Sequence, residues 1–211
     1  MVQTSIDSLV YIVDDEFAVR DSLMLLIQST GRVAKSFASA EEFLNAYCPD
    51  YPSCLILDVR MPGMSGLDLQ QEMTKRHISL PIIFISGHAE IPDSAKAFRA
   101  GAVDFLEKPV DYNVLMDRIE EAIARDVAER KQRLDKLEIE KRFERLTARE
   151  KEVLKLITDN CSNKEVAKIL EISHRTIDVH RARIMEKMEA ENVGELLKMA
   201  LRIDASKNSL H

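Results

Sequence analysis

The sequence has no tryptophan, only three cysteines and no long apolar run, and each absence excludes a class of protein. Cys48, Cys54 and Cys161 are unevenly spaced and form no CxxC pair, which is typical neither of a disulfide framework nor of a zinc site. No run of about eighteen apolar residues is present, so we expect no membrane-spanning helix and no membrane partner. The first residues, MVQTSIDS, lack the basic and apolar regions of a signal peptide, which predicts a cytoplasmic protein with reduced thiols.

The chain of 211 residues is long enough for two domains, and its charge is unevenly distributed. Residues 1–120 contain 10 basic and 18 acidic residues, a net charge of −8, whereas residues 146–211 contain 12 and 11, a net charge of +1. The overall charge of −6 therefore gives no argument for nucleic-acid binding. Only the positions of the cations in the second half can supply one.

Apolar runs of strand length alternate with helix-like stretches in the first half of the chain. The runs lie at 9–13, 33–37, 54–57, 82–85 and 103–106, and the helical stretches at 17–27, 40–47, 66–75 and 94–100. This alternation predicts an α/β domain with a doubly wound, five-stranded parallel sheet covered by helices on both faces. The runs before Asp14, Asp58 and Ser86 are almost wholly apolar, as in central strands, whereas the mixed second run indicates an edge strand.

Neither proline nor glycine occurs between Val110 and Val193, and residues 111–145 predict one long, highly charged helix. A coiled coil needs apolar residues at two heptad positions, but charged residues occupy several of them here. The residues are Glu120, Val127, Leu134 and Lys141 at one position and Ile123, Arg130 and Leu137 at the other. A solvated connecting helix is favoured over a pairing helix. We therefore predict a first domain at 1–122, a helical linker at 123–145 that continues the last helix of that domain, and an all-α, four-helix domain at 146–211.

Helix-capping residues divide the third segment into short helices. Thr147 with Glu150, and Ser162 with Glu165, predict two capping boxes. Ser173 or His174 opens a third helix, and a fourth follows in NVGELLKMALR.

The middle two of these helices predict a helix-turn-helix. One helix presents an apolar face, the turn follows it, and three apolar residues of the next helix pack onto that face. The face is Val166, Ala167, Ile169 and Leu170; the turn is Glu171 to Ser173; and the packing residues are Ile177, Ile184 and Met188.

Five polar residues follow strands of the predicted sheet: Asp14, Asp15, Asp58, Ser86 and Lys108. The carboxyl ends of parallel strands share one edge, where ligands bind in such folds, so we expect these groups to meet. Carboxylates repel one another unless a cation neutralises them. Carboxylates beside a lysine and a hydroxyl suit Mg²⁺ and a phosphoryl group.

The segments VDDE, ILDVRMPGMSG, FISGH and GAVDFLEKP resemble the CheY-like (flavodoxin-like) receiver domain of two-component response regulators, over residues 8–122. The resemblance implies that Asp58 accepts a phosphoryl group from a sensor histidine kinase. It also implies Mg²⁺ or Mn²⁺ bound by Asp15 and Asp58, with Asp14 acting through water and Arg60 through its backbone carbonyl. By this resemblance the chain is no enzyme beyond its own phosphoryl transfer and dephosphorylation.

The same resemblance assigns Lys108 to the phosphoryl oxygens and predicts a cis bond before Pro109. Ser86 and Phe105 would act as the switch, although Phe105 also fits a plain core residue. Arg60 and His88 would flank the phosphoryl group, or else are simply loop residues in solvent.

LTAREKEVL, SNKEVA, RTIDVHRARIMEKM and ELLKMA resemble the LuxR-type output domain of the FixJ and NarL class of regulators, the FixJ-like members in particular. By that resemblance the third short helix enters the major groove of promoter DNA. The side chains placed to read base edges are Asp178, Val179, Arg181 and Ala182. Those placed for phosphate or packing contacts are Lys164, Arg175, Thr176, His180, Arg183 and Lys187, with packing favoured for His180. A dimer surface is implied at Val193, Leu196, Leu197 and Ala200, for which a place in the domain's own core is the alternative.

The resulting hypothesis is a transcriptional regulator that forms a homodimer on phosphorylation and activates transcription with RNA polymerase. Two alternatives stay open. One is a Mg²⁺-dependent phosphohydrolase, for which residues 8–122 offer no insertion to form a cap over a substrate. The other is a DNA-binding dimer that uses the first domain only as a scaffold, independently of phosphorylation. The long helix either separates the domains or masks the recognition helix.

Overall fold

The structure, a computed structural model, describes residues 8–87, 104–159 and 161–208, with side chains through Ile203. The predicted helix at 94–100 and the residue His88 lie outside these ranges. The first half contains β1 Leu9–Val13, α1 Phe17–Ser29, β2 Val33–Phe37, α2 Ala40–Ala46, β3 Ser53–Asp58, α3 Gly66–Lys75, β4 Ile82–Ser86 and β5 Asp104–Glu107. The second half contains α4 Tyr112–Glu144, α5 Ala148–Thr158, α6 Asn163–Leu170, α7 His174–Met188 and α8 Val193–Asn208.

The five strands form one parallel sheet in the order β2-β1-β3-β4-β5, which confirms the predicted fold. Every residue of β1, β3 and β4 is buried, because helices cover both faces of these inner strands. β2 lies at an edge and is only partly buried, as its mixed composition predicts. Strand order reverses between β1 and β3, so the crevice of the sheet opens between their carboxyl ends.

Alternate residues of the inner strands build two cores, one on each side of the sheet. The first core includes Tyr11, Leu55, Leu57 and Phe84, which pack with Phe43 of α2 and Leu69 of α3. The second includes Val10, Ile12, Ile56 and Ile83, which pack with Ile27 of α1 and with Leu115 and Ile119 of α4. The two cores hold the strand ends in fixed register at the edge of the sheet.

The long helix is continuous from Tyr112 to Glu144, as the sequence predicts. Its polar anchor is Asp126, which is fully buried, accepts a 2.8 Å hydrogen bond from the backbone N–H of Ser53 and forms an ion pair with Arg130. The chain divides into two compact units between Arg130 and Lys131. Residues 123–130, predicted as linker, therefore belong to the first unit.

The second unit is a helical domain around its own core. Val166, Ala167, Ile177, Ile184 and Met188 are buried there, as expected for the helix-turn-helix. The capping boxes at Thr147 and Ser162 are both present, and Ser173 caps α7. The turn passes through Glu171, whose φ of 55° is left-handed.

The prediction for one member of the apolar face is wrong. Ile169 is 55 % exposed, because it lies off the side of α6 that carries the buried Val166 and Ala167. Among the described residues, no helix combines the length and the apolar character that crossing a membrane would require.

Candidate functional site

Three of the predicted site residues meet at the carboxyl edge of the sheet. Asp14 follows β1, Asp58 ends β3 and Ser86 ends β4. Asp14 is fully buried, Asp58 is 6 % exposed and Ser86 is buried beside them. Asp14 and Asp58 flank the point where strand order reverses, which is where an α/β sheet binds its ligands, and Ser86 ends the next strand.

Lys108 bridges the two buried carboxylates. Its Nζ donates to Asp14 Oδ2 at 2.8 Å and to Asp58 Oδ1 at 2.7 Å, with Glu16 Oε1 at 3.8 Å. The backbone N–H of Lys108 donates to the Ser86 carbonyl at 2.8 Å, and the Lys108–Pro109 bond is cis, as predicted. The repulsion expected between the two carboxylates is thus offset by one ammonium group.

Burial and the shared ion pair act in opposite directions on this site. Burial raises the pKa of the Asp58 carboxyl, and the hydrogen bond from Lys108 only partly offsets that effect. Burial lowers the pKa of Lys108, but the hydrogen bonds to Asp14 and Asp58 outweigh it, so this pKa is raised overall. Lys108 therefore stays protonated and positive beside Asp58.

Backbone N–H groups hold the second oxygen of each carboxylate. Glu16 N–H donates to Asp14 Oδ1 at 2.8 Å, and Arg60 N–H donates to Asp58 Oδ2 at 2.7 Å. Each carboxylate is thereby fixed in orientation at both oxygens, one by Lys108 and one by the loop that follows its strand.

Gly66 is a part of the site that the sequence prediction missed. A Cβ at this position would lie 2.2 Å from the backbone oxygen of Asp58, so the start of α3 approaches β3 too closely for any side chain. The available signal was the run MSG after Asp58, in which Ser65 caps α3 with a capping box.

The predicted metal ligands are only partly brought together. Asp14 and Asp58 share Lys108, whereas Asp15 is exposed. Among the described residues, no cluster of three or more His, Cys, Asp or Glu side chains is arranged to hold a metal ion. The donor chemistry nevertheless fits Mg²⁺, since two buried carboxylates adjoin a third that is open to solvent.

The predicted switch residues and the flanking Arg60 occupy distinct environments. Phe105 is half-buried on β5 and stacks on Phe84, with ring centroids 6.2 Å apart. This placement fits a core residue as well as one that moves between two positions, so both interpretations stay open. The Arg60 side chain is exposed two residues beyond Asp58.

The predicted DNA-contacting residues lie along α7 and the start of α6. Asp178, Val179 and Ala182 are exposed, and Arg181 is half-buried. Of the predicted phosphate contacts, the exposed ones are Lys164, Arg175 and Arg183, and the half-buried ones are Thr176, His180 and Lys187. Thr176 and Ser173 also share a 2.8 Å hydroxyl–hydroxyl hydrogen bond at the helix start.

Lys187 has a partner inside the domain. Its Nζ donates at 2.7 Å to Glu150 Oε2, and Glu150 is only 2 % exposed. Burial raises the pKa of Glu150, but hydrogen bonds from Lys187 and Thr147 outweigh it and lower this pKa overall. Lys187 thus forms an ion pair inside its own domain, and its predicted contact with a DNA phosphate stays a prediction.

The predicted dimer surface is divided between core and solvent. Leu196 and Ala200 are buried in the core of their own domain, as the alternative interpretation holds, because α8 packs these residues against α5 and α7. Their side chains are therefore unavailable to a partner. Val193 is exposed and Leu197 is half-buried, so a dimer surface on α8 would have to use these two.

Two family models match the chain. Residues 10–120 match the response regulator receiver domain, and residues 144–200 match the bacterial regulatory proteins of the luxR family. Nodulation protein W of Bradyrhizobium diazoefficiens is 39 % identical over 98 % of this chain and 91 % of its own length. Transcriptional regulatory protein FixJ of Rhizobium meliloti is 41 % identical over 92 % of this chain and 96 % of its own.

Solved structures give the same assignment. The response regulator StyR is 37 % identical, with a TM-score of 0.81 over 93 % of this chain and 99 % of that chain. Full-length FixJ from B. japonicum is 38 % identical, with a TM-score of 0.56 over 92 % and 96 %. The chain belongs to the NarL and FixJ class of two-component response regulators, in which phosphorylation of a receiver domain controls a LuxR-type DNA-binding domain, and its partners are a histidine kinase and DNA.

Proposed function

We propose that Asp58 is the phosphoacceptor and that its phosphorylation drives homodimerisation, promoter binding and activation of transcription through RNA polymerase. The observation that carries the proposal is the geometry of Asp58. Its carboxylate ends β3 at the sheet crevice, with Lys108 Nζ at 2.7 Å on one oxygen and Arg60 N–H at 2.7 Å on the other. A nucleophile held in this way needs little reorganisation before attack.

The chemistry proposed is a single phosphoryl transfer at this carboxylate. An oxygen of Asp58 attacks phosphorus, the bond from phosphorus to the kinase histidine nitrogen breaks, and an aspartyl phosphate forms. Lys108 moves from the carboxylate pair to the arriving phosphoryl oxygens, which carry more negative charge. Ser86 is buried at the end of β4, and its hydroxyl would then donate to the phosphoryl group. Hydrolysis returns Asp58 and inorganic phosphate.

A divalent cation belongs to this proposal. Asp15 and Asp58 would hold Mg²⁺ or Mn²⁺, with Asp14 acting through water and Arg60 through its backbone carbonyl. Bound there, the ion neutralises charge on the phosphoryl oxygens. We infer a cytoplasmic location, because the proposed roles require access to both a kinase and DNA.

The test is to incubate the full chain with Mg²⁺ and acetyl phosphate and to measure intact mass and sedimentation, with Asp58→Asn alongside. We expect one added phosphoryl group on the wild type, none on the variant, and a shift toward dimer. A phosphoryl group on Asp58→Asn would disprove the acceptor assignment. Phosphorylation without a change in sedimentation would reject the dimer and favour relief of masking by the long helix.

Activation is tested separately by transcription in vitro from a promoter that the protein selects. Phosphorylated protein should raise the transcript yield. A lowered yield, from blocking of RNA polymerase, would show that the protein is a repressor. Equal DNA binding and equal transcript yield with the phosphorylated and unphosphorylated forms would support the alternative, in which the receiver is a dimer scaffold independent of phosphorylation.

A further inference from the structure

Asn163, the first residue of α6, connects two of the side chains placed to read bases. Its Oδ1 accepts a 3.0 Å hydrogen bond from Arg181 Nη1, and its Nδ2 donates a 3.1 Å hydrogen bond to Asp178 Oδ1. Arg181 and Asp178 lie on α7, three residues apart and therefore adjacent on the helix surface. One neutral amide thus bridges a cation and an anion on the neighbouring helix.

The orientation of this amide is fixed by its partners. A guanidinium group only donates hydrogen bonds and an ionised carboxylate only accepts them. A flipped amide would set its NH₂ against Arg181 and its oxygen against Asp178, losing both bonds. Asn163 therefore holds each charged group by the atom that this group requires.

Helix capping does not account for the bridge. The side-chain cap of α6 is made by Ser162 and Glu165, which complete a capping box without Asn163. Asparagine is also a weaker helix former than alanine, so the local helix gains nothing from its side chain.

We propose that Asn163 is a positioning residue that sets the base preference of α7, by holding Arg181 and Asp178 as one prearranged pair. Within the part of the chain that the structure describes, each partner keeps hydrogen-bonding capacity for DNA beyond its bond to Asn163. Arg181 retains N–H groups that can donate to guanine O6 and N7, and Asp178 retains Oδ2 as an acceptor for cytosine N4. The favoured ligand is duplex DNA with G·C pairs at the base steps facing these two side chains.

The inference rests on the proposed base-reading roles of Asp178 and Arg181, and its physical basis is preorganisation. A free arginine or aspartate must be ordered when DNA binds, and this ordering weakens binding to the correct site. The amide restricts both side chains beforehand. Removing it should reduce discrimination between sequences more than it reduces attraction to the phosphate backbone, since that attraction depends on net charge.

The experiment uses the full chain treated with acetyl phosphate and Mg²⁺, and a pool of random-sequence DNA duplexes. Bound duplexes are sequenced for the wild type, Asp178→Ala and Arg181→Ala, which identifies the base positions that each side chain reads. Asn163→Ala should flatten the preference at those same positions and weaken the selected site by roughly tenfold, while affinity for unselected duplex changes by less than about twofold.

Asn163→Asp separates the two halves of the bridge. The new carboxylate still accepts from Arg181 but repels Asp178, so the Arg181 position should keep its preference while the Asp178 position loses it. Lys164→Ala is the matched control, an adjacent exposed cation on the same helix. It should weaken binding to all sequences equally and reduce the salt dependence without altering base preference.

Thermal melting of every variant distinguishes positioning from folding. Unchanged base preferences in Asn163→Ala, with Asp178→Ala and Arg181→Ala altered, would overturn the inference and leave the base-reading roles intact. Unaltered base preferences in Asp178→Ala and Arg181→Ala would overturn both the inference and the base-reading roles. A lower melting temperature for Asn163→Ala with equal loss of binding to all duplexes would show that Asn163 is only structural.

Discussion

Gly66 contacts the backbone of the proposed phosphoacceptor more closely than any side chain could. Because a Cβ there would lie 2.2 Å from the Asp58 carbonyl oxygen, Gly66→Ala must push α3 away from β3. We expect a loss of about 1–3 kcal/mol in the free energy of unfolding, as for overpacked cores. Acetyl phosphate should also label Asp58 more slowly, because Asp58 shifts with its backbone.

Gly87→Ala is the control for this prediction. A Cβ at Gly87 meets no atom of the described residues within 4 Å, although Gly87 adjoins Ser86 at the same edge of the sheet. Gly87→Ala should match the wild type in its stability, measured by denaturant unfolding, and in its rate of phosphorylation, measured by intact-mass time courses. If Gly66→Ala were phosphorylated at the wild-type rate with unchanged stability, the close approach would have no influence on the site.

Lys187 and Glu150 differ in burial, which predicts unequal effects of removing each. Lys187→Met leaves a carboxylate that is 2 % exposed without its cation, which should cost about 3 kcal/mol. Glu150→Gln leaves a lysine that is 32 % exposed at its side chain and can reach water, so about 1 kcal/mol is expected. Denaturant unfolding of both variants, with the exposed Lys198→Met as control, measures the difference.

The same pair predicts how stability depends on pH. Since the pKa of Glu150 is lowered in the folded protein from its ordinary value of 4.5, its contribution is present above that value. The contribution is lost as the pH falls below 4.5 through the folded pKa. Unfolding followed between pH 7 and pH 3 should show a shallower acid decline in Glu150→Gln, and equal declines would contradict the pairing.

Single residues mark where sequence patterns stop being informative. The strand-end carboxylates and Lys108 could be predicted to converge because parallel strands share an edge. The ion pair of Lys187 with Glu150 could not be predicted, because its partner lies 37 residues away on another helix. An outward cation on a recognition helix looks the same in sequence whether it faces DNA or a buried carboxylate.

Besides its apolar contacts, α4 is anchored to the sheet by a buried carboxylate. Asp126 accepts from the first N–H of β3 and pairs with Arg130, which also donates to the Pro49 carbonyl. Asp126→Ala leaves the Ser53 N–H and the Arg130 guanidinium without their acceptor. We therefore expect the free energy of unfolding of the first unit to fall by about 3 kcal/mol. Denaturant unfolding of the full chain, monitored by hydrogen exchange at Ser53, resolves that unit.

Glu120→Ala is the matched control on the same helix. Glu120 pairs with Arg32 at 3.1 Å but is 66 % exposed at its side chain, so its removal should cost less than about 1 kcal/mol. Equal losses for Glu120→Ala and Asp126→Ala would mean that burial of Asp126 contributes nothing to the anchor.

Element boundaries followed from sequence wherever a local signal marks them. β1 and β2 have the predicted limits because apolar runs end at charged or turn residues, and α5, α6 and α7 start after their capping residues. The interior of α4 carries no such mark. Helical periodicity continues through Arg130, and only tertiary contacts show that residues 123–130 belong with the sheet. These contacts are the bond of Asp126 to β3, the bond of Arg130 to the Pro49 carbonyl and the packing of Ile123 on the core.

The second unit extends further toward the N-terminus than the predicted domain at 146–211. Ile139 of α4 is buried in the core of the second unit, and Phe143 packs against that core and lies under the ammonium of Lys151 at 4.8 Å. A fragment of residues 131–211 retains these contacts, whereas one of residues 146–211 exposes the surface that they cover. Burial of each such side chain contributes about 1.5–3 kcal/mol.

We therefore expect residues 131–211 to unfold cooperatively and residues 146–211 to be less stable by roughly 3 kcal/mol or more. Calorimetry and denaturant unfolding of the two fragments measure this difference in stability.

In the full chain, Ile139→Ala should lower the free energy of unfolding by about 2–5 kcal/mol, because it opens a cavity. Leu134→Ala, on the same helix but 67 % exposed, should stay within about 0.5 kcal/mol of the wild type. Equal stability of the two fragments, together with a silent Ile139→Ala, would show that α4 serves the second unit only as a connection. A less stable 146–211 fragment, together with a destabilised Ile139→Ala variant, would show that the last turns of α4 are part of the DNA-binding domain.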